Sequence, residues 1–99
     1  MPDWTFLSNH GQVLLCIARD PDARLREIGE RVGITERAAY RIVGELVDAR
    51  YLVRKRNGRR NSYTITTQKR LPDPLARDRS VGDLLSVLAG ERPAASLGD

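Results

Sequence analysis

Five cationic side chains, Arg54, Lys55, Arg56, Arg59 and Arg60, fall within seven residues around Asn57-Gly58. Asn-Gly between two β-forming runs is the dipeptide of a tight hairpin turn, because both central residues then need positive φ. A turn on residues 57 and 58 sets Arg56 opposite Arg59, Lys55 opposite Arg60, Arg54 opposite Asn61 and Leu52 opposite Tyr63. Directly opposed like charges repel, and an anion lodged between them removes that penalty. Phosphate is the obvious candidate. Basic residues on an edge strand also discourage aggregation, but five cations exceed that need. Residues 50 to 70 carry eight basic side chains and no acidic one, whereas the rest of the chain has nine basic and thirteen acidic residues. So polarised a chain fits a polyanion-binding face on an ordinary body. Codon bias explains the preference for Arg over Lys, but not the clustering.

Other chemistry finds little support. His10 is the only histidine, has no acid at a catalytic spacing, and stands at the start of a helix, where capping or packing is its expected role. Cys16, the single cysteine, sits inside an apolar helical pattern and reads as core; no disulfide within the chain and no thiolate zinc cage is available to it. Ser62 and Ser80 have no accompanying base, and no phosphate-binding glycine loop precedes a helix. No enzyme activity, metal or cofactor is expected.

The elements that must position the cations can be read from periodicity and caps. Ser8 or Asn9 caps a helix running to about Arg19, with Val13, Leu14, Ile17 and Ala18 as its buried stripe, widened by Leu15 and Cys16. Asp20-Pro21-Asp22 ends it in a turn. Residues 24 to 26 read as a short extended piece leading into a second helix through Val32, with Leu25, Ile28 and Val32 on one face. Arg26 with Glu30, and Glu27 with Arg31, are i,i+4 pairs on the solvated side. Gly33 terminates that helix and Thr35 caps a third, over residues 36 to 49, whose inner stripe is Ala39, Ile42, Val43, Leu46 and Val47. The period then switches to two over residues 51 to 56 and 59 to 66.

Beyond the hairpin, Leu71-Pro72-Asp73-Pro74 is a stiff connector. Ser80 and Asp83 make a capping-box pattern ahead of the stripe Val81, Leu84, Leu85 and Leu88. From Gly90 onward the composition suggests a disordered tail. Ninety-nine residues with 40% hydrophobic content suit one compact core. No apolar run approaches the ~20 residues of a membrane span, and the N-terminus lacks the order of a signal peptide. A soluble cytoplasmic protein is expected.

Two helices joined by a three-residue turn and followed by a basic hairpin resemble the small single-domain winged helix-turn-helix regulators of the MarR/ArsR-like type. The resemblance spans roughly residues 6 to 67. It rests on Ile28, Gly29, Val32, Gly33, Ile34, Ala39 and Ile42, where that pattern wants apolar or small residues, and on Tyr51-Leu52-Val53 before the basic hairpin. It implies an α+β, mainly α fold: a three-helix bundle plus a β-hairpin wing, here with a short C-terminal amphipathic helix. The corresponding division is a DNA-binding domain over residues 1 to 71, a connector and helix over 72 to 90, and a tail over 91 to 99.

By the same resemblance the third helix enters the major groove of double-stranded DNA. Thr35, Glu36, Arg37, Ala38, Tyr40, Arg41 and Gly44 then face outward. Arg37 and Arg41 suit bidentate contact with guanine; their like charges stand i,i+4, partly neutralised by Glu45. Glu36 can accept from a cytosine amino group, and Tyr40 can reach a phosphate or a thymine methyl. Arg54, Lys55, Arg56, Arg59, Arg60 and Asn61 become the wing, gripping the backbone or the adjacent minor groove. The implied protein is a sequence-specific transcriptional regulator, with a nonspecific architectural binder or a protein-protein adaptor as the alternatives. A homodimer would join through the N-terminal segment at Trp4, Phe6 and Leu7 and the helix over residues 80 to 89, although that helix has equal reason to pack on its own domain. The resemblance weakens here, because MarR-like proteins dimerise through longer helices at both ends.

Overall fold

The computed structural model describes residues 2 to 90; the expected tail over 91 to 99 lies outside them. The elements are α1 (Asn9–Arg19), α2 (Leu25–Val32), α3 (Glu36–Asp48), β1 (Leu52–Asn57), β2 (Arg60–Ile65), a 3-10 turn (Pro74–Ala76) and α4 (Val81–Leu88). This is the mainly helical architecture expected, with one antiparallel hairpin.

Local caps set the helix starts. The Ser8 hydroxyl accepts from the Gly11 N–H at 3.1 Å, and the Thr35 hydroxyl from the Ala38 N–H at 3.0 Å. The extended piece expected over 24 to 26 shrinks to Arg24, which has φ −81 and ψ 158, because Leu25 and Arg26 already belong to α2. The reason is local: the Glu27 carboxylate accepts from the Arg24 N–H at 2.8 Å and starts the helix there. That use of Glu27 also defeats its expected pairing with Arg31. Arg31 reaches back to Asp20 at 3.1 Å instead, and Arg26 and Glu30 form no ion pair.

Gly33, at φ 89, ends α2 in the left-handed region. The carbonyl of Gly29 accepts from both the Gly33 and the Ile34 N–H, each at 2.8 Å, closing the turn that aims α3. The far end of α3 closes with bonds from Tyr51 N–H to Leu46 carbonyl and from Arg50 N–H to Val47 carbonyl. This is a Schellman pattern whose left-handed position holds Arg50, at φ 69.

The hairpin register differs from expectation by two residues. Leu52 pairs with Ile65, Arg54 with Tyr63, Lys55 with Ser62, Arg56 with Asn61 and Asn57 with Arg60. The turn is centred on Gly58-Arg59 rather than Asn57-Gly58, with only Gly58 at positive φ, 62. A glycine at the first central position satisfies a two-residue hairpin by itself, so Asn57 stays in the strand. Because the shift is even, Leu52 and Tyr63 still face inward and both are buried. The direct opposition of Arg56 to Arg59 and of Lys55 to Arg60 does not occur.

Residues 66 to 80, which include the expected connector at 71 to 74, form a closed loop. Leu71 N–H bonds to Arg79 carbonyl, Val81 N–H to Lys69 carbonyl and Gly82 N–H to Thr67 carbonyl, at 2.8 to 3.0 Å. The Tyr51 hydroxyl donates to the Arg70 carbonyl at 3.0 Å. The loop returns α4 to the body, where Val81 and Leu85 join the same buried cluster as Val13, Ile17, Ile28, Ile42, Val43 and Leu52. Arg19 donates to the Leu88 carbonyl at 3.2 Å, placing a cation at the C-terminal end of α4. Ser80 and Asp83 form the expected reciprocal cap, at 3.0 and 3.1 Å.

Candidate nucleic-acid interface

The inner stripe of α3 buries Ala39, Ile42, Val43 and Leu46, so its opposite face is turned to solvent. Thr35, Glu36, Arg37, Tyr40 and Arg41 are all exposed, Tyr40 to 66%. Ala38 and Gly44 are half-buried. A shallow depression of about 400 Å³ lies between Thr35, Arg37, Ala38, Tyr40 and Arg41. Arg37 has no partner among the described residues, whereas Arg41 donates from Nη1 to Glu45 at 3.1 Å.

Glu45 is itself held from a second side. Its other carboxylate oxygen lies 2.7 Å from His10 Nε2 on α1. A carboxylate only accepts, so Nε2 carries the proton. The His10 N–H first and the Arg41 guanidinium second hold the Glu45 carboxyl below its ordinary range. His10 therefore neither caps α1, which Ser8 does, nor packs in the core: it is half-exposed and paired. Thirty-five residues separate the partners, and no local spacing signals them.

On the hairpin the six expected residues have different surroundings. Arg54 lies over the Tyr63 ring at 6.0 Å from its centroid. Arg56 donates from Nε to the Gly58 carbonyl at 3.3 Å, and Asn61 stands across from it. Arg60 reaches off the sheet and donates to the Asp22 carbonyl at 3.1 Å, tying the turn end of the hairpin to the α1–α2 turn. The side chains of Lys55 and Arg59 have no intramolecular partner among the described residues. Both are exposed.

The two sets meet. A cleft of about 590 Å³ is lined by Arg59, Arg60 and Asn61 of the hairpin, Glu36 at the start of α3, and Arg24 and Arg26 at the start of α2. Four guanidinium groups against one carboxylate give it a positive character, and it lies at the N-terminal ends of α2 and α3. Sequence reasoning misses Arg24 and Arg26, which it places in a short extended piece and, for Arg26, on a solvated helix face. They are found only once the hairpin is folded against the helices, because the cleft that Arg59 and Arg60 line extends to the start of α2.

Residues 7–53 match the family model described as winged helix-turn-helix DNA-binding. The fold is a winged helix-turn-helix. The match runs from the residue before the α1 cap into β1, a little under half of the chain, and supports DNA as the partner. It carries the bundle and the α2–α3 turn, while the wing beyond Val53 rests on the geometry above. No curated protein matches the chain. No helix among the described residues of this winged helix-turn-helix is long and apolar enough to cross a membrane.

Proposed function

We propose that this winged helix-turn-helix is a sequence-specific regulator of transcription, cytoplasmic and of the MarR/ArsR-like kind. In this reading α3 enters the major groove with Thr35, Glu36, Arg37, Tyr40 and Arg41 toward base edges. The wing lies along the backbone or in the neighbouring minor groove through Arg54, Lys55, Arg56, Arg59, Arg60 and Asn61. The observation that carries it is the shared cleft, in which the wing cations and the exposed face of α3 meet at Glu36. Base readout needs a helix that presents side chains while something else grips phosphate, and the cleft supports both from one side. A homodimer on a pseudo-palindromic site completes the reading. Exposed Phe6 on the rim of an apolar groove with Leu7, Leu71 and Leu84 supports the N-terminal segment and α4 as its contact.

The test is to select bound sequences from random duplex and then titrate the selected duplex and a base-shuffled one against salt. A plot of log K against log salt steeper than about −4 is expected from several phosphate contacts, with the selected site preferred by ~10³ or more. Equal affinity for both duplexes would make the protein an architectural binder. No binding to either at low salt would defeat the proposal.

A further inference from the structure

We infer that Glu45, held by His10, is a specificity-determining positioning residue that fixes the guanidinium of Arg41 for base reading. The inference rests on the proposed DNA-reading role of α3. His10 on α1 reaches Glu45 at 2.7 Å, and Glu45 reaches Arg41 Nη1 at 3.1 Å, so a side chain on another helix fixes a reader on α3. A guanidinium has five N–H groups. With Nη1 committed to Glu45, the edge formed by Nε and Nη2 remains free to meet two acceptors side by side, which is the demand of guanine O6 and N7. An unrestrained arginine sweeps many rotamers and loses that freedom on binding; one already held by a carboxylate has less to lose. Arg37, on the same exposed face with no such partner, lacks this restraint.

Glu45 also carries a charge of the wrong sign for a surface that grips phosphate. Its removal should make nonspecific binding stronger while making readout worse. A merely structural residue would weaken both together. His10 reaches Glu45 alone and leaves that charge in place, so its loss should blunt discrimination without raising nonspecific affinity.

The experiment measures affinity for the selected duplex and its shuffled counterpart with Arg41→Ala, Glu45→Ala, His10→Ala and His10→Gln, each checked by its melting profile to be folded at the assay temperature. Arg41→Ala should reduce discrimination about tenfold or more, the scale of one lost bidentate contact. Glu45→Ala should approach that loss while binding the shuffled duplex at least as tightly as the parent. His10→Ala should lose about threefold, on the scale of a single hydrogen bond to a charged group partly replaced by water. His10→Gln, whose amide offers an N–H at similar reach, should restore discrimination. If Arg41→Ala discriminates less but Glu45→Ala and His10→Ala match the parent, the positioning inference is overturned while the reading of α3 stands. Equal weakening on both duplexes by Glu45→Ala also overturns it. If Arg41→Ala itself discriminates normally, the base-reading role assigned to Arg41 fails, and the inference with it.

Discussion

Gly29 sits directly under the backbone of Ile34: a methyl group on Gly29 would stand 2.8 Å from the Ile34 carbonyl oxygen and 3.2 Å from that of Thr35. The same glycine's carbonyl binds the Ile34 N–H, so the turn is stitched on one side and crowded on the other. Backbone cannot swing aside as a side chain can. Gly29→Ala would gain about 1 kcal/mol of helix propensity but meet an overpacking cost of about 1 to 3 kcal/mol. The expected net result is destabilisation by up to about 2 kcal/mol in urea unfolding, with weaker duplex binding as α3 is displaced. A variant as stable as the parent would show that the turn tolerates a wider spacing.

Arg50 occupies the left-handed position at the end of α3, where glycine fits without a Cβ penalty. A non-glycine residue held there costs about 1 kcal/mol or more. Arg50→Gly should therefore raise the melting temperature, by roughly 4 °C or more if 1 kcal/mol is recovered in a domain of this size. It also removes one of the eight cations between residues 50 and 70. Higher stability together with weaker DNA binding would show that the strained arginine is kept for its charge. Higher stability with unchanged binding would leave it without a role at the interface.

What the sequence makes legible is whatever is encoded within a few residues. Ser8, Gly33 and Thr35 fix the helix ends through contacts three or four residues away, and the apolar spacing of Val13, Ile17, Ile42 and Leu46 fixes which faces turn inward. The hairpin's existence is equally local, but its register turns on whether Asn57 joins Gly58 in the turn, and both turns put Gly58 at positive φ. The inward face was recovered because the slip was even, while the opposed cations depended on the register itself. Partners across the fold left no trace in spacing: His10 with Glu45, Arg60 with the Asp22 carbonyl, and Arg31 with Asp20. The loss of the expected Arg26–Glu30 and Glu27–Arg31 pairs has the same origin, since Glu27 serves the backbone and Arg31 finds a carboxylate on the preceding turn.

The cap of α4 makes stability depend on acid. The Asp83 carboxyl is held below its ordinary range chiefly by the Ser80 backbone N–H, then by the Ser80 hydroxyl, and Glu45 is lowered as well. A carboxyl depressed in the folded state contributes stability that is fully present above its unfolded pKa and is lost as pH falls through the folded one. Melting temperature should thus decline as pH drops below about 5. Asp83→Asn keeps an acceptor for the Ser80 N–H but cannot titrate, so its acid decline should be shallower than the parent's. Parallel declines for the two proteins would remove Asp83 from the account.

The structure separates the wing variants that would report on phosphate contact alone from those that would not. Arg60 is bonded to the Asp22 carbonyl and Arg56 to the Gly58 carbonyl, so truncating either mixes a change in the hairpin's own support with any lost contact to DNA. Lys55 and Arg59 have no such duties among the described residues. The double variant Lys55→Ala with Arg59→Ala should leave the melting profile unchanged and weaken selected and shuffled duplexes alike. Each phosphate contact contributes about 0.9 to the salt slope, so losing two should flatten it by about 2. Arg60→Ala should instead lower the melting temperature as well as the affinity. If the double variant keeps the parent's salt slope while Arg41→Ala flattens it, the gripping and reading roles have been assigned to the wrong elements, and the wing is not what holds the backbone.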